Sequence, residues 1–283
     1  MDTNPHRETK LHRVETNGTE LAVVTAGEGP AVLLMHGWPH THDLWNLVLP
    51  QLARTRRVIA PDLRGLGGSR RETAGYDLHT LADDMSGLLD ALAVDQADVV
   101  GIDAGAPPAF MLAMRASRRV RRLVLMESLL GTLPGAESFL RGGPPWWFGF
   151  HQVPGLAETV LVGREGEYLD WFLRAGTHDA TGAPGPVRDA FVAAYAGAEA
   201  LRCGFEYYRA MPVNARQIAD AVAAGRLGVP TMAIGARPVG DALFRQLEPV
   251  ADRLTGHLID NCGHLIPLDA PGEFLRLVRP FLG

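Results

Sequence analysis

The sequence predicts an α/β protein: a mostly parallel sheet with helices on both faces, interrupted after its sixth strand by a helical insertion. Two observations carry this. In the first and last parts of the 283-residue chain, short β-rich runs alternate with stretches of helical periodicity. That is the rhythm of a parallel sheet covered on both sides. From Leu130 to about Ile218 the rhythm fails, and the chain becomes rich in aromatic residues, Gly and Pro, as short helices joined by loops would be.

The elements follow in order. Residues 21–25, 31–36 and 57–60 read as strands, each stopped by Gly or Pro. Residues 79–92 carry Leu81, Leu88, Leu89 and Leu92 at helical spacing. Residues 97–102 form an apolar strand, and a helix runs from about Pro107 to Arg115. Its paired Pro107 and Pro108 suit a first turn, where amide protons lack partners anyway. Residues 122–126 make another buried strand. The alternation resumes with a strand at 229–236, a helix at 242–254, a strand at 257–260 and a helix at 272–281. The expected division is a core of 1–129 and 219–283 around an insertion of 130–218, with no internal repeat.

Composition narrows the function. Hydrophobic residues make up 47% and charged ones 21%, ordinary for a globular enzyme. A formal net charge of −5 without a long like-charge block weighs against a nucleic-acid partner. The opening Met-Asp-Thr-Asn-Pro-His-Arg-Glu has no apolar core, so no secretory signal is expected, and no run approaches a membrane span. Cys203 and Cys262 are too few for a disulfide framework, which makes a reducing cytoplasm the expected compartment. With no Cys/His cluster at zinc spacing and no phosphate-binding glycine loop, neither a metal nor a nucleotide cofactor is expected.

The chemistry centres on Asp103. Residues 97–105 read Ala-Asp-Val-Val-Gly-Ile-Asp-Ala-Gly, an apolar strand ending in Gly-x-Asp-x-Gly and feeding a helix. This is a nucleophile elbow with aspartate where serine is usual, and a strained strand-to-helix turn needs nearly side-chain-free neighbours, here Gly101 and Gly105. A carboxylate is already ionised. It attacks saturated carbon and gives an alkyl ester that water must later cleave, which points to opening an epoxide or displacing a halide. In His36-Gly37-Trp38-Pro39 a tight turn would aim the Trp38 amide proton at a developing oxyanion, with the Ala104 amide as its companion. In Asn261-Cys262-Gly263-His264, after the last strand, His264 is a general base for water. The polar glycine loop from Asp62 to Ser69 reads as scaffold.

Together these motifs resemble the α/β-hydrolase superfamily, in its aspartate-nucleophile branch of epoxide hydrolases and dehalogenases. The resemblance covers nearly the full chain and is weakest in the insertion, which would be that family's helical cap. Serine hydrolysis is the superfamily's usual chemistry, but Ser69, Ser86, Ser117, Ser128 and Ser138 all lie outside the elbow. The family keeps the acid that orients the histidine after either of two strands. Gly235-Ala236-Arg237-Pro238 offers no carboxylate at the expected spacing after the seventh strand, and Asp241 is the nearest. Glu127, after the sixth strand, is where some relatives keep theirs, and it is preferred.

The resemblance also implies a group that receives charge on the leaving oxygen. Glu206-Tyr207-Tyr208-Arg209-Ala210 is similar to the cap segment that carries a ring-opening tyrosine, with Tyr208 favoured and Tyr207 the alternative. A phenol can donate a hydrogen bond and then its proton. Where relatives carry a second cap tyrosine, this chain has Pro144-Pro145-Trp146-Trp147-Phe148. Indole N–H groups of Trp146 or Trp147 would stabilise an oxygen without protonating it. Haloalkane dehalogenases usually carry Trp after the nucleophile and fluoroacetate dehalogenases arginines just beyond it. Here the segment reads Ala104-Gly105-Ala106-Pro107-Pro108. Small residues flanking Asp103, Ile102 and Ala104, would leave room for a bulky substrate.

The expectation is therefore a cofactor-independent epoxide hydrolase that takes a small-molecule epoxide and water to a vicinal diol. The chain looks similar to epoxide hydrolases of bacterial polyketide pathways, so a bulky aromatic secondary metabolite, as in antibiotic biosynthesis, is the expected substrate. The alternatives are a haloalkane or haloacid dehalogenase with the same nucleophile and base, or a ligand-binding pseudoenzyme.

Overall fold

Runs such as Ala-Val-Leu-Leu-Met at 31–35 and Ala-Asp-Val-Val-Gly-Ile at 97–102 are buried at every position, as strands covered on both faces must be. In the computed structural model, which describes residues 9–283, they lie at the centre of an eight-stranded sheet. The opening octapeptide, read above as lacking an apolar leader, lies outside the described residues. The strands are β1 (Lys10–Thr16), β2 (Thr19–Ala26), β3 (Ala31–Met35), β4 (Arg57–Pro61), β5 (Ala97–Ile102), β6 (Val120–Met126), β7 (Thr231–Gly235) and β8 (Leu254–Leu258). Their order is β1-β2-β4-β3-β5-β6-β7-β8. The pairings β1–β2 and β2–β4 are antiparallel, and all the others are parallel.

The structure departs from the sequence reading in four places. Strand β1 escaped the sequence reading because it is an exposed edge of largely polar residues without apolar alternation. The helix expected at 242–254 ends at Leu247, since Pro249 has no amide proton with which to continue the ladder. Strand β8 therefore starts at Leu254, earlier than the expected 257; it too is an exposed edge strand. The insertion boundary placed at 218 falls inside a helix, Met211–Ala224, whose alanine-rich second half continues helically until Gly225.

Between β6 and β7 the chain builds the cap from helices Trp146–Gln152, Leu156–Leu161, Glu165–Ala175, Gly185–Ala194, Ala198–Arg209 and Met211–Ala224. Among the described residues no helix is long and apolar enough to cross a membrane. Hydrogen bonds stitch the cap to the core. The Tyr195 hydroxyl donates to the His40 carbonyl at 3.1 Å, Tyr207 to the Arg64 carbonyl at 2.9 Å, and Arg202 to the Glu72 carbonyl at 3.0 Å. Within the cap, Arg209 joins Glu158 at 2.7 Å and Glu206 at 3.0 Å, with all three side chains mostly buried. The loop from Asp62 to Ser69 is scaffold. The Asp62 carboxylate accepts from the amides of His42 and Gly68, both at 2.7 Å, and Arg64 grips Asp84 with two bonds of 2.7 Å.

Candidate active site

Loops leave the C-terminal ends of parallel strands along one edge of the sheet, the usual location of sites in such folds. Five of them converge here. Asp103 directly follows β5 and has φ +52°, the left-handed region that a branched or bulky residue avoids. Its neighbours must be small. A Cβ on Gly101 would lie 2.7 Å from the Gly105 carbonyl oxygen, and one on Gly105 would lie 2.3 Å from that of His36. Gly37 is equally constrained, because a Cβ there would lie 2.2 Å from the Asp103 carboxylate. The Ser128 hydroxyl donates to the Asp103 carbonyl at 2.8 Å and braces the turn.

After β3, the buried His36 contacts the Gly37 carbonyl at 2.8 Å through Nδ1 and accepts from the Leu63 amide at 3.2 Å through Nε2. It shapes the loop and does not line the cavity. The Trp38–Pro39 peptide is cis, and the Trp38 amide donates to Asp103 Oδ1 at 2.7 Å. The Ala104 amide contacts the same carboxylate. One carboxylate oxygen thus already occupies the donors expected to hold an oxyanion. The other, Oδ2, lies 3.2 Å from His264 Nε2.

His264 reaches the elbow from the loop after β8. Its Nδ1 lies 3.1 Å from Glu127 Oε2. Glu127 directly follows β6, is fully buried, and also accepts from the Ala236 amide at 2.6 Å and the Val239 amide at 3.4 Å. The loop after β7 therefore supplies backbone donors to Glu127 instead of a carboxylate of its own. Asp241, the alternative partner, is not brought to the histidine. It sits four residues before Arg245 on one helix face and pairs with it at 2.7 Å.

Charge follows from this geometry. Burial opposes ionisation of Asp103, but the hydrogen bond and charge of His264, with smaller help from the Ala104 amide, hold the carboxyl below its ordinary value. Burial likewise opposes protonation of His264, yet the two carboxylates outweigh it and raise the imidazole to about 10. The resting site is a carboxylate–imidazolium–carboxylate array.

Between cap and sheet lies a cavity of about 380 Å³, within the range of small-molecule sites. Its walls are mostly apolar, with Phe139, Trp147, Phe148, Trp171 and Phe172 prominent, and no Lys or Arg lines it among the described residues. Asp103, Ala104, Glu127, His264 and Tyr208 all open onto it. Ile102 does not, being packed in the core beneath the sheet edge. Successive helical residues point about 100° apart, and this separates both aromatic pairs. Tyr207 touches the cavity, but its hydroxyl is committed to Arg64; the Tyr208 hydroxyl has no hydrogen bond within the described residues. Burial, with the Asp103 charge adding to it, pushes the Tyr208 phenol well above its ordinary pKa. Trp147 lines the cavity, whereas Trp146 is 55% exposed, leans on Trp171 at 5.6 Å and does not. The expectation of two indoles at the site reduces to one.

Two histidines went unread in the sequence. His151, fully buried, has Nε2 2.6 Å from the Tyr168 hydroxyl and stands edge-on to Tyr208 at 4.4 Å. Burial lowers its pKa to about 3, so it is neutral. No spacing announces a lone histidine inside an aromatic segment. His40 lines the cavity and follows the Gly-Trp-Pro turn directly, so its adjacency to Trp38 was the available signal.

Comparison with known proteins sets this geometry in context. Residues 30–151 match the family model described as the alpha/beta hydrolase fold. The chain is similar to a soluble epoxide hydrolase of Corynebacterium sp. (strain C12), 30% identical with 92% of each chain covered. It is also similar to a 2-hydroxymuconate semialdehyde hydrolase of Pseudomonas sp. (strain CF600), 31% identical over 91% of this chain and 88% of that one. Among solved structures it resembles wild-type Cfl2 from Burkholderia cenocepacia, with a TM-score of 0.89, 30% identity and 97% and 96% of the two chains covered.

Proposed function

The chain belongs to the α/β-hydrolase family and is a hydrolase, and from that premise we propose that it opens an epoxide to a vicinal diol through an ester on Asp103. The observation that carries the reading is the division of labour in one carboxylate: Oδ1 accepts from the Trp38 amide at 2.7 Å, while Oδ2 meets His264 at 3.2 Å beside an apolar cavity. A side chain that occupies its own oxyanion donors becomes, once esterified, a carbonyl already polarised for attack. The similarity to the Corynebacterium epoxide hydrolase supports the same reading.

In the first step Asp103 Oδ2 bonds to an oxirane carbon, the C–O bond breaks, and Tyr208 transfers its proton to the leaving oxygen. The phenolate regains a proton from the His264 imidazolium. Loss of the Asp103 charge removes a major force holding that proton, so His264 becomes a base just when one is needed. It takes a proton from water, whose oxygen adds to the ester carbonyl while the Trp38 and Ala104 amides hold the charge. Collapse releases the diol alkoxide, which His264 protonates. The Asp103 carboxylic acid left behind then gives its proton to His264, restoring the resting ion pair.

The aromatic lining and the lack of a cation among the described lining residues support a neutral, bulky, aromatic epoxide of the polyketide type. They weigh against a haloacid, whose carboxylate would need a cationic partner. The test is trapping. His264→Gln is mixed with styrene oxide and, separately, with 1-bromobutane, and intact mass is read. A gain equal to the whole epoxide is expected, with Asp103→Ala showing neither adduct nor turnover. A gain only from the bromide, with halide released, would make the protein a dehalogenase instead.

A further inference from the structure

His40 is buried to 0% exposure, yet it lines the catalytic cavity, and neither ring nitrogen has a hydrogen-bond partner among the described residues. Its placement is firm. The His40 amide donates to the Gly37 carbonyl at 3.1 Å, and its carbonyl accepts from Tyr195 of the cap at 3.1 Å. The ring packs on Phe191 at 5.6 Å and lies 6.3 Å from the His264 ring, centroid to centroid. Burial lowers its pKa to about 3, so it is neutral, with one N–H and one bare nitrogen. Leaving such a group unsatisfied is costly, and an apolar side chain would avoid the cost. A buried orphan of this kind calls for a ligand, and bound water is the simplest.

We propose that His40 is a positioning residue for the ester-cleaving half of the reaction, holding the attacking water between its ring and that of His264. The proposal rests on the epoxide-opening reading above. In the resting site His264 Nε2 is engaged by Asp103 Oδ2 at 3.2 Å. Alkylation turns that oxygen into an ester oxygen, a poor acceptor, and frees Nε2. Two imidazoles sharing one water at ordinary hydrogen-bond lengths have centroids roughly 6–7 Å apart, which matches the separation found. In the step itself one water O–H bond breaks, its proton passes to His264 Nε2, and the oxygen bonds to the ester carbon. The carbonyl π pair moves onto Oδ1. The second water hydrogen stays on the new hydroxyl, directed at the bare nitrogen of His40. No other reactant is required.

The experiment is single-turnover reaction with styrene oxide, quenched over time and read by intact mass, on the wild type, His40→Leu and His40→Gln. In His40→Leu the adduct is expected to form at the wild-type rate and then persist, with hydrolysis slowed roughly 10²-fold, the penalty for a misplaced reactant. The amide of His40→Gln offers both a donor and an acceptor and is expected to recover part of that loss. Thermal unfolding of His40→Leu should occur no lower than in the wild type, because the ring makes no hydrogen bond to the described residues that the substitution could remove. Ester cleavage at the wild-type rate in His40→Leu would overturn the proposal, and so would a loss confined to adduct formation, which would mean contact with the epoxide. Should His40→Leu not fold, full-rate ester cleavage in His40→Asn, whose shorter side chain falls short of the water, would overturn it equally. Absence of any adduct in His264→Gln defeats the epoxide reading itself and is distinct from either result.

Discussion

Glu127 and His264, 137 residues apart in sequence, meet at 3.1 Å, while Asp241 is turned away to Arg245 at 2.7 Å. The first pair couples the ends of β6 and β8, and the second is a surface contact. Glu127→Gln is therefore expected to slow ester hydrolysis by about 10²–10⁴-fold, with the alkyl-enzyme accumulating in rapid-quench mass spectra. Asp241→Asn should leave turnover unchanged. A reversed ranking would reassign the acid.

Adjacent tyrosines should separate in their effects. Tyr208→Phe removes a hydroxyl that shares the cavity with Asp103 and has no hydrogen bond among the described residues, and adduct formation should fall by about 10²-fold or more. Tyr207→Phe breaks the bond to the Arg64 carbonyl, which costs about 1 kcal/mol of stability. Its readout is a lower melting temperature with adduct formation nearly intact.

The ion pair at the elbow makes stability depend on pH with a definite sign. His264 is raised from 6.5 to about 10 in the folded protein. Its contribution is complete below pH 6.5 and is lost as pH rises toward 10. Asp103 is lowered from 3.8, so its share is present above that value and disappears in acid. The melting-temperature difference between wild type and His264→Gln should be greatest between about pH 4 and 6.5 and shrink steadily up to pH 10. A difference that stays flat across that range would mean the histidine is not held as an imidazolium.

The two tryptophans test the shape of the cavity. Trp147→Ala removes a wall and should raise KM for an aryl epoxide by about tenfold, equivalent to about 1.4 kcal/mol of binding. Trp146→Ala should change KM little, since its ring lies outside. Equal effects would show that Trp146 closes over the substrate once it is bound.

Much of the site was legible because its requirements are local. An aspartate at a left-handed turn demands small residues two positions away on both sides, so Gly101, Asp103 and Gly105 announce themselves in a pentapeptide. Gly37 next to Trp38 is forced in the same way by the closeness of the carboxylate. The buried strands were legible from continuous apolar runs. The edge strands β1 and β8 were not, since half-exposed backbone places little demand on side-chain type.

The sequence by itself determined the α/β architecture and singled out Asp103, His264 and the Trp38 and Ala104 amides as candidates, because each is written in short-range chemistry or periodicity. Only the tertiary structure shows that Glu127 and not Asp241 meets His264, that the Tyr207 hydroxyl is taken by Arg64, and that Trp147 and not Trp146 lines the cavity. In the two aromatic pairs the candidates are neighbours on a helix, and which one faces the cavity depends on how the cap is rotated against the core. For the acid, the outcome depends on the Ala236 and Val239 amides arriving from β7 to hold Glu127 in place. His40 was invisible for the same reason: its missing hydrogen bonds are a property of everything packed around it.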